Sequence, residues 1–224
     1  MEEKKYEIVS LGCYCISRTV LTRQHLKPSK AQGELSCPFD LVVHSVKRIT
    51  YYINNDFEGY FDDLFFKKYK KFWFDFRKKG IWSKTDNTGF FHDKDCTIND
   101  KEKLIQRISN RIDNFRKIMK NERPIIFVQA LKKEEDIKNL YEVLENKRGE
   151  KPFKLVILDF NNVVEREYKN VSVLKIPFPS EKYEKYWDRK KYYESRDGKI
   201  FEETVAQKVK SEIDKFIKDK KLML

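Results

Sequence analysis

Four short apolar runs, separated by stretches with helical spacing, constrain the fold of this chain most. The runs cover residues 6–11, 124–131, 153–160 and 171–177. Their nearly continuous apolar character, rich in branched and aromatic residues, is typical of parallel strands that are buried on both faces. Helical patterns lie at 16–26, 104–119, 137–144 and 205–217. Because strand and helix alternate, the sequence predicts an α/β fold, a three-layer domain with a mainly parallel sheet.

The segment 32–100 interrupts this alternation. It holds an apolar stretch at 41–53, and its aromatic residues at 72–76 and 89–93 predict a hairpin. An excursion of this length between the first and second core strands is far longer than an ordinary connection, and such excursions commonly form lids or build sites. A chain of 224 residues is long enough for one substantial core. We therefore expect one domain over 1–224, with 32–100 as a site-building helical and hairpin excursion.

The net charge of +12 raises the question of an acidic partner such as nucleic acid. The lysines are scattered and alternate with acidic residues, and the mixed basic and aromatic stretch at 67–73 is expected to be a solvated helix end rather than a base-stacking surface. We therefore predict no specific nucleic-acid partner. The chain has no apolar stretch long enough to span a membrane and no apolar secretory signal after residue 1, so we expect no membrane span and a cytoplasmic location. Cysteines in that compartment are expected to be reduced thiols.

The segment Ser10-Leu11-Gly12-Cys13-Tyr14-Cys15 joins the first predicted strand to the first predicted helix. Gly12 permits a tight turn at the carboxyl end of the strand, where ligands of open α/β sheets bind. A helix N-terminus favours an anion, so a cysteine there is expected to have a lowered pKa. Cys15 is the better placed nucleophile, Cys13 flanks the site or points into the core, and N–H groups near Gly12 are available to an oxyanion. The alternative is that both cysteines pack as small apolar residues.

A cysteine nucleophile needs a base and a group that orients the base. Of the three histidines, His25 is expected in the C-terminal turn of the first helix and His44 in an apolar segment. His92 follows an aromatic run inside the excursion and is the candidate base. The orienting carboxylate is left open among Asp40, Asp93 and Asp159.

The segment 36–41 is the second distinctive cluster. Pro38 biases the preceding residue toward an extended conformation, and Phe39 anchors the loop. Asp40 is expected mainly as the N-cap of the helix that follows.

Two arginines form a further candidate for ligand binding. Arg107 and Arg111 are four residues apart on one helix face and are predicted to clamp an anionic substrate, although exposed helical arginines often have no such role. The predicted substrate-binding residues are therefore Gly12, Cys13, Pro38, Phe39, Arg107 and Arg111.

Metal binding is a competing use of the sulfur ligands. Cys13, Cys15, Cys37, Cys96 and His92 would suffice for tetrahedral zinc, but the chain has no C-x₂-C pair, so we predict no metal site. It also lacks a P-loop, a G-x-G-x-x-G, a G-x-S-x-G and an H-E-x-x-H motif, and we predict no cofactor.

The chain resembles a bacterial-type family of unknown function whose members are labelled papain-like cysteine peptidases. The family's Ser-Leu-Gly-x-x-Cys motif matches 10–15, and its Pro-Phe-Asp-Trp box matches 38–41, with Leu41 in place of Trp. The resemblance also covers a histidine in an aromatic setting (His92), an arginine-bearing helix at 107–116 and a core strand at 124–128. It implies Cys15 as the nucleophile and His92 as the base.

Two functions from different classes are compatible with these residues. The first is a cysteine-dependent hydrolase acting on a peptide or other acyl substrate, in which Cys15 attacks, His92 carries the proton and Asp40 or Asp93 orients it. The second is a protein of cell-surface polysaccharide pathways that binds or modifies a glycan or nucleotide-sugar without cysteine catalysis. A purely structural or interaction role is a third. The sequence does not predict the oligomeric state.

Overall fold

The computed structural model describes most of the chain. The described residues are 5–12, 15–40, 42–67, 80–86, 88–90, 93, 101–131, 133, 136–164, 168 and 170–219.

The main sheet has four parallel strands in the order β1-β5-β6-β7. The strands are β1 (Glu7–Ser10), β5 (Ile125–Leu131), β6 (Phe153–Asp159) and β7 (Val171–Lys175). Each lies within one of the four apolar runs of the sequence. The predicted fold class, a mixed α/β fold with a mainly parallel sheet, is confirmed.

Helices cover both faces of this sheet, which is why its central strands are apolar on both sides. The side chains of Val9, Phe127 and Ile157 face a core formed with α2 (Val46–Asn54), α3 (Lys101–Lys120) and α4 (Ile137–Arg148). Those of Ile8 and Val128 face a second core, formed with α1 (Ile16–Arg23), α5 (Glu181–Tyr186) and α7 (Arg196–Asp219). A one-turn helix, α6 (Lys190–Tyr193), lies between α5 and α7. No helix in the described residues is long and apolar enough to cross a membrane.

The excursion contains α2 and a small antiparallel sheet of β2 (Leu64–Lys67), β3 (Gly80–Ser83) and β4 (Thr88–Gly89). A hairpin is present, but it pairs 82–83 with 88–89. The expected first strand at 72–76 lies outside the described residues.

The excursion is joined to the main domain core through aromatic packing. The centre of the Phe39 ring lies 5.5 Å from the centre of the Phe57 ring and 5.9 Å from that of Phe115 on α3. This contact holds the loop that carries Phe39 against the helix layer, beside the carboxyl end of β1.

Candidate active site

Gly12 forms the turn that leaves β1, and the turn requires glycine for two reasons. Its φ is +85°, a backbone conformation that other residues adopt at a cost. A Cβ at this position would also lie 3.2 Å from the carbonyl oxygens of Phe39 and Val42. The turn and the 38–42 loop are therefore in direct backbone contact, and the two sequence motifs lie side by side.

A buried glutamine stabilises the same turn by a hydrogen bond. The side-chain amide of Gln129, on β5, donates to the carbonyl oxygens of Gly12 at 3.3 Å and Ala130 at 2.8 Å. Sequence reasoning missed this residue, although a lone polar side chain in the apolar run 124–131 is a usable signal for it.

Cys15 is the N-cap residue of α1. Its carbonyl oxygen accepts the first hydrogen bond of the helix from the Thr19 N–H, at 2.9 Å. The side chain is half-buried against the core formed with α1 and α7, and it makes no capping hydrogen bond. The N–H groups of the first helical turn have no partner within the helix, so an anion bound beside Cys15 would face the positive end of α1.

The Cys15 thiol is neutral in this environment. Burial raises its pKa to about 12, against the opposing effects of a hydrogen bond from its own backbone and of Arg18. The expectation of a lowered pKa is wrong, because burial outweighs the backbone hydrogen bond and the nearby Arg18.

Four charged side chains form a compact ionic cluster beneath α1. The Lys27 Nζ lies 2.5 Å from Glu34 Oε1 and donates to the Ile8 carbonyl oxygen at 2.6 Å. Arg18 donates to Glu34 Oε2 at 3.0 Å, and its Nε lies 3.5 Å from Asp40 Oδ2. The Lys27 Nζ is 3.8 Å from Asp40 Oδ1. With two cations and two carboxylates the cluster is neutral, which is how buried charges are retained.

Asp40 belongs to this cluster and does not cap a helix. The helix that follows is capped by Ser45, whose hydroxyl accepts from the Arg48 N–H. The Asp40 Oδ2 accepts instead from the Cys37 N–H at 2.7 Å and so closes the loop around Pro38. Burial raises the pKa of the Asp40 carboxyl, although Lys27 and Arg18 oppose the rise. Its predicted role in orienting His92 remains a prediction.

Asp93 is held by both arginines that were predicted to clamp a substrate anion. Arg107 donates to its Oδ1 at 2.9 Å, and Arg111 donates to its two oxygens at 2.8 and 3.2 Å. Both arginines therefore contact Asp93, because the excursion folds back onto α3. Arg111 and Asp93 are buried. Asp93 directly follows His92 in the chain.

Asp159 and His25 have clear local roles in the fold. Asp159 accepts hydrogen bonds from the N–H groups of Asn161, Val163 and Val164, so its carboxylate orders the loop after β6. His25 lies in the turn that ends α1, as expected, and its N–H donates to the Thr22 carbonyl oxygen at 3.2 Å.

His44 is fully buried and its Nε2 lies 2.8 Å from the Tyr60 hydroxyl. Burial lowers its pKa to about 4, although Asp86 opposes the change.

Phe39 is buried in the aromatic contact described above, which gives it a packing role; its part in lining a substrate site stays a prediction, as does that of Pro38. Cys13, His92 and Cys96 lie outside the described residues. Within the described ranges, no group of three or more His, Cys, Asp and Glu side chains is arranged to hold a metal ion.

The fold and this site define an α/β protein with a cysteine at the junction of its first strand and first helix, at the carboxyl edge of a parallel sheet. The chain matches the model of the family described as "Putative papain-like cysteine peptidase (DUF1796)" over residues 6–164, and it belongs to that family. The matched segment contains Cys15, Asp40 and His92 and ends before β7. Neither the curated proteins nor the solved structures gave a match.

Proposed function

We propose that this protein is a cysteine-dependent hydrolase of acyl compounds, with Cys15 as its nucleophile and His92 as its base. The observation that carries the proposal is the position of Cys15 at the N-cap of α1, directly after the Gly12 turn at the carboxyl edge of the sheet. Ligands of open α/β sheets bind at this edge. Membership of a family labelled as cysteine peptidases supports the same reaction class.

The raised pKa of Cys15 determines what the mechanism requires. A thiol with a pKa of about 12 is almost entirely protonated at neutral pH, so a base must remove its proton as it attacks. His92 is the histidine that the sequence motifs assign to this task. Asp93, which follows His92 directly in the chain, is held by Arg107 and Arg111.

The proposed reaction has two steps. The Cys15 Sγ forms a bond to the acyl carbon while its proton passes to His92, and the carbonyl oxygen becomes an oxyanion near the N–H groups of the first turn of α1. The leaving group departs with that proton, and a thioester remains on Cys15. Water then attacks the thioester with His92 as the base, which releases the acid and restores the thiol.

The test uses p-nitrophenyl acetate as an acyl donor. We expect the wild-type protein to release p-nitrophenolate with an acetyl group trapped on Cys15, as found by peptide mass spectrometry. Cys15→Ala should abolish both, and His92→Gln should slow both. Cys37→Ala is the matched control. Cys37 is a buried thiol in the loop before Pro38, so its replacement should leave the rate unchanged.

The pH dependence separates His92 from unassisted ionisation. If His92 accepts the proton, the rate levels off above about pH 7, near the ordinary histidine pKa. A rate that keeps rising about tenfold per pH unit to pH 10 would mean that the thiol ionises without a base, and it would contradict the role of His92. Acetylation of Cys37 with none on Cys15 would contradict the proposal as a whole.

The alternative of glycan or nucleotide-sugar binding used Arg107 and Arg111 as its anion clamp. Both guanidinium groups contact Asp93, whose carboxylate already offsets part of their positive charge. This contact supports the choice of the hydrolase as the leading proposal.

A further inference from the structure

A groove runs along the outer edge of β7, at the opposite side of the main sheet from β1. It encloses about 690 Å³ between the strand and α7. Its lining includes Val171, Val173 and Lys175 on the strand and Lys208, Glu212 and Lys215 on the helix. Both β5 and β6 separate it from the strand that leads to Cys15, and its lining on β7 and α7 lies beyond the segment 6–164 matched by the family.

The backbone of β7 presents hydrogen-bonding groups to this groove. The Ile176 N–H donates to the Asp159 carbonyl oxygen at 3.0 Å, so the even-numbered residues of β7 direct their main-chain groups toward β6. Val173 and Lys175 therefore direct theirs outward, and the Lys208 ammonium donates to the Lys175 carbonyl oxygen from that side at 3.2 Å. Among the described residues, nothing pairs with the N–H and C=O of Val173.

The charges of the groove indicate which kind of strand could bind there. Lys175, Lys208 and Lys215 contribute three cations and Glu212 one carboxylate, which is bonded to Ser172 and, at 2.8 Å, to Lys215, so the groove has a surplus of positive charge. Lysines beside an open edge oppose pairing with another basic strand. Two copies of β7 brought edge to edge would place these cations against each other, and the whole chain carries a net charge of +12. An acidic strand would meet no such repulsion.

We propose that the outer edge of β7 binds an extended acidic segment of a partner protein, which adds a fifth strand to the main sheet. Val173 and Lys175 would supply the main-chain hydrogen bonds, and the lysines around them would select acidic side chains. Lys208 would exchange its bond to the Lys175 carbonyl oxygen for a carboxylate of the partner. The proposal is independent of Cys15, so a Cys15→Ala variant should bind the same segment.

The probe is a fluorescent peptide with the sequence Glu-Val-Asp-Val-Glu-Val-Asp, whose binding is followed by fluorescence anisotropy on the full chain. Two isomers carry N-methyl groups either on the three valines or on three of the acidic residues. Because alternate residues of a strand face one edge, only one isomer should lose affinity, by about tenfold for the lost hydrogen bonds. Equal affinities of the two isomers would overturn strand addition.

Charge is tested on both partners. The double variant Lys175→Glu, Lys208→Glu should weaken binding by about tenfold, and Lys147→Glu on the exposed face of α4 is the control that should not. A peptide with lysine at every acidic position should not bind, and equal binding would refute the selection of acidic segments. A wild-type dimer in sedimentation that the acidic peptide disperses would assign the edge to a second copy and overturn the proposal.

Discussion

Replacement of Lys27 by methionine tests the ionic cluster beneath α1. Methionine has a similar length and no charge, so the substitution removes the bonds to Glu34 and to the Ile8 carbonyl oxygen with little change in volume. It also leaves Glu34 and Asp40 with Arg18 as their one remaining cation in the cluster. Loss of one partner from a buried ion pair costs about 3 to 5 kcal/mol, because the other charge stays buried without compensation.

For a chain of this size that cost corresponds to a fall in melting temperature of roughly 10 °C. Thermal unfolding followed by circular dichroism, with urea unfolding for the free energy, measures it. Lys210→Met is the matched control: Lys210 forms an exposed ion pair with Asp214 at 2.6 Å, and its loss should cost less than about 0.5 kcal/mol.

A second substitution checks the cause. Asp40→Asn in the Lys27→Met background leaves Arg18 and Glu34 as a neutral pair and keeps an acceptor for the Cys37 N–H, so part of the stability should return. Equal effects of Lys27→Met and Lys210→Met, or no recovery in the double variant, would refute the electrostatic reasoning.

Three further predictions follow from the site and its surroundings. Iodoacetamide should alkylate Cys15 far more slowly than a free thiol at pH 8, with a rate that climbs toward its pKa of about 12; a plateau near pH 8.5 would contradict the burial argument. Gly12→Ala should destabilise the protein by about 1 to 2 kcal/mol more than Gly33→Ala in urea unfolding, since both have positive φ but only Gly12 has atoms in the way of a Cβ. Because the folded pKa of His44, about 4, lies below its unfolded value, unfolding takes up a proton as pH falls from about 6.5 to 4, and the wild type should lose roughly 3 kcal/mol across that window. A His44→Gln variant should show a smaller loss there, and an unchanged slope would count against a buried neutral imidazole.

The fold could be predicted from the sequence because the signal for it is local. A strand buried on both faces is apolar almost throughout, as in β5 and β6, and that pattern is visible in the sequence alone. The position of Cys15 was accessible for the same reason, since Gly12 lies between a strand pattern and a helix pattern and marks the turn.

The partners of the charged residues were not predictable in this way. Arg107 and Arg111 present the pattern of an exposed helical face, and only the folded excursion brings Asp93 to them. Lys27 sits in a polar stretch that predicts exposure, yet it is almost fully buried because Glu34 and Asp40 return to it through the 34–40 loop. The pKa of Cys15 depends on the burial of its own side chain in the folded chain, so it too required the structure.

The order of strands in the main sheet has a consequence for the synthesis of the chain. In the described sheet β1 pairs with β5 alone, and Glu7 lies opposite Ile125, more than half the chain away. The Gly12 turn is held by Gln129 from that same strand. During synthesis, the Gly12 turn therefore cannot gain its β5 contacts until β5 has emerged from the ribosome. By then the excursion and α3 have already been made, so the environment of Cys15 forms late.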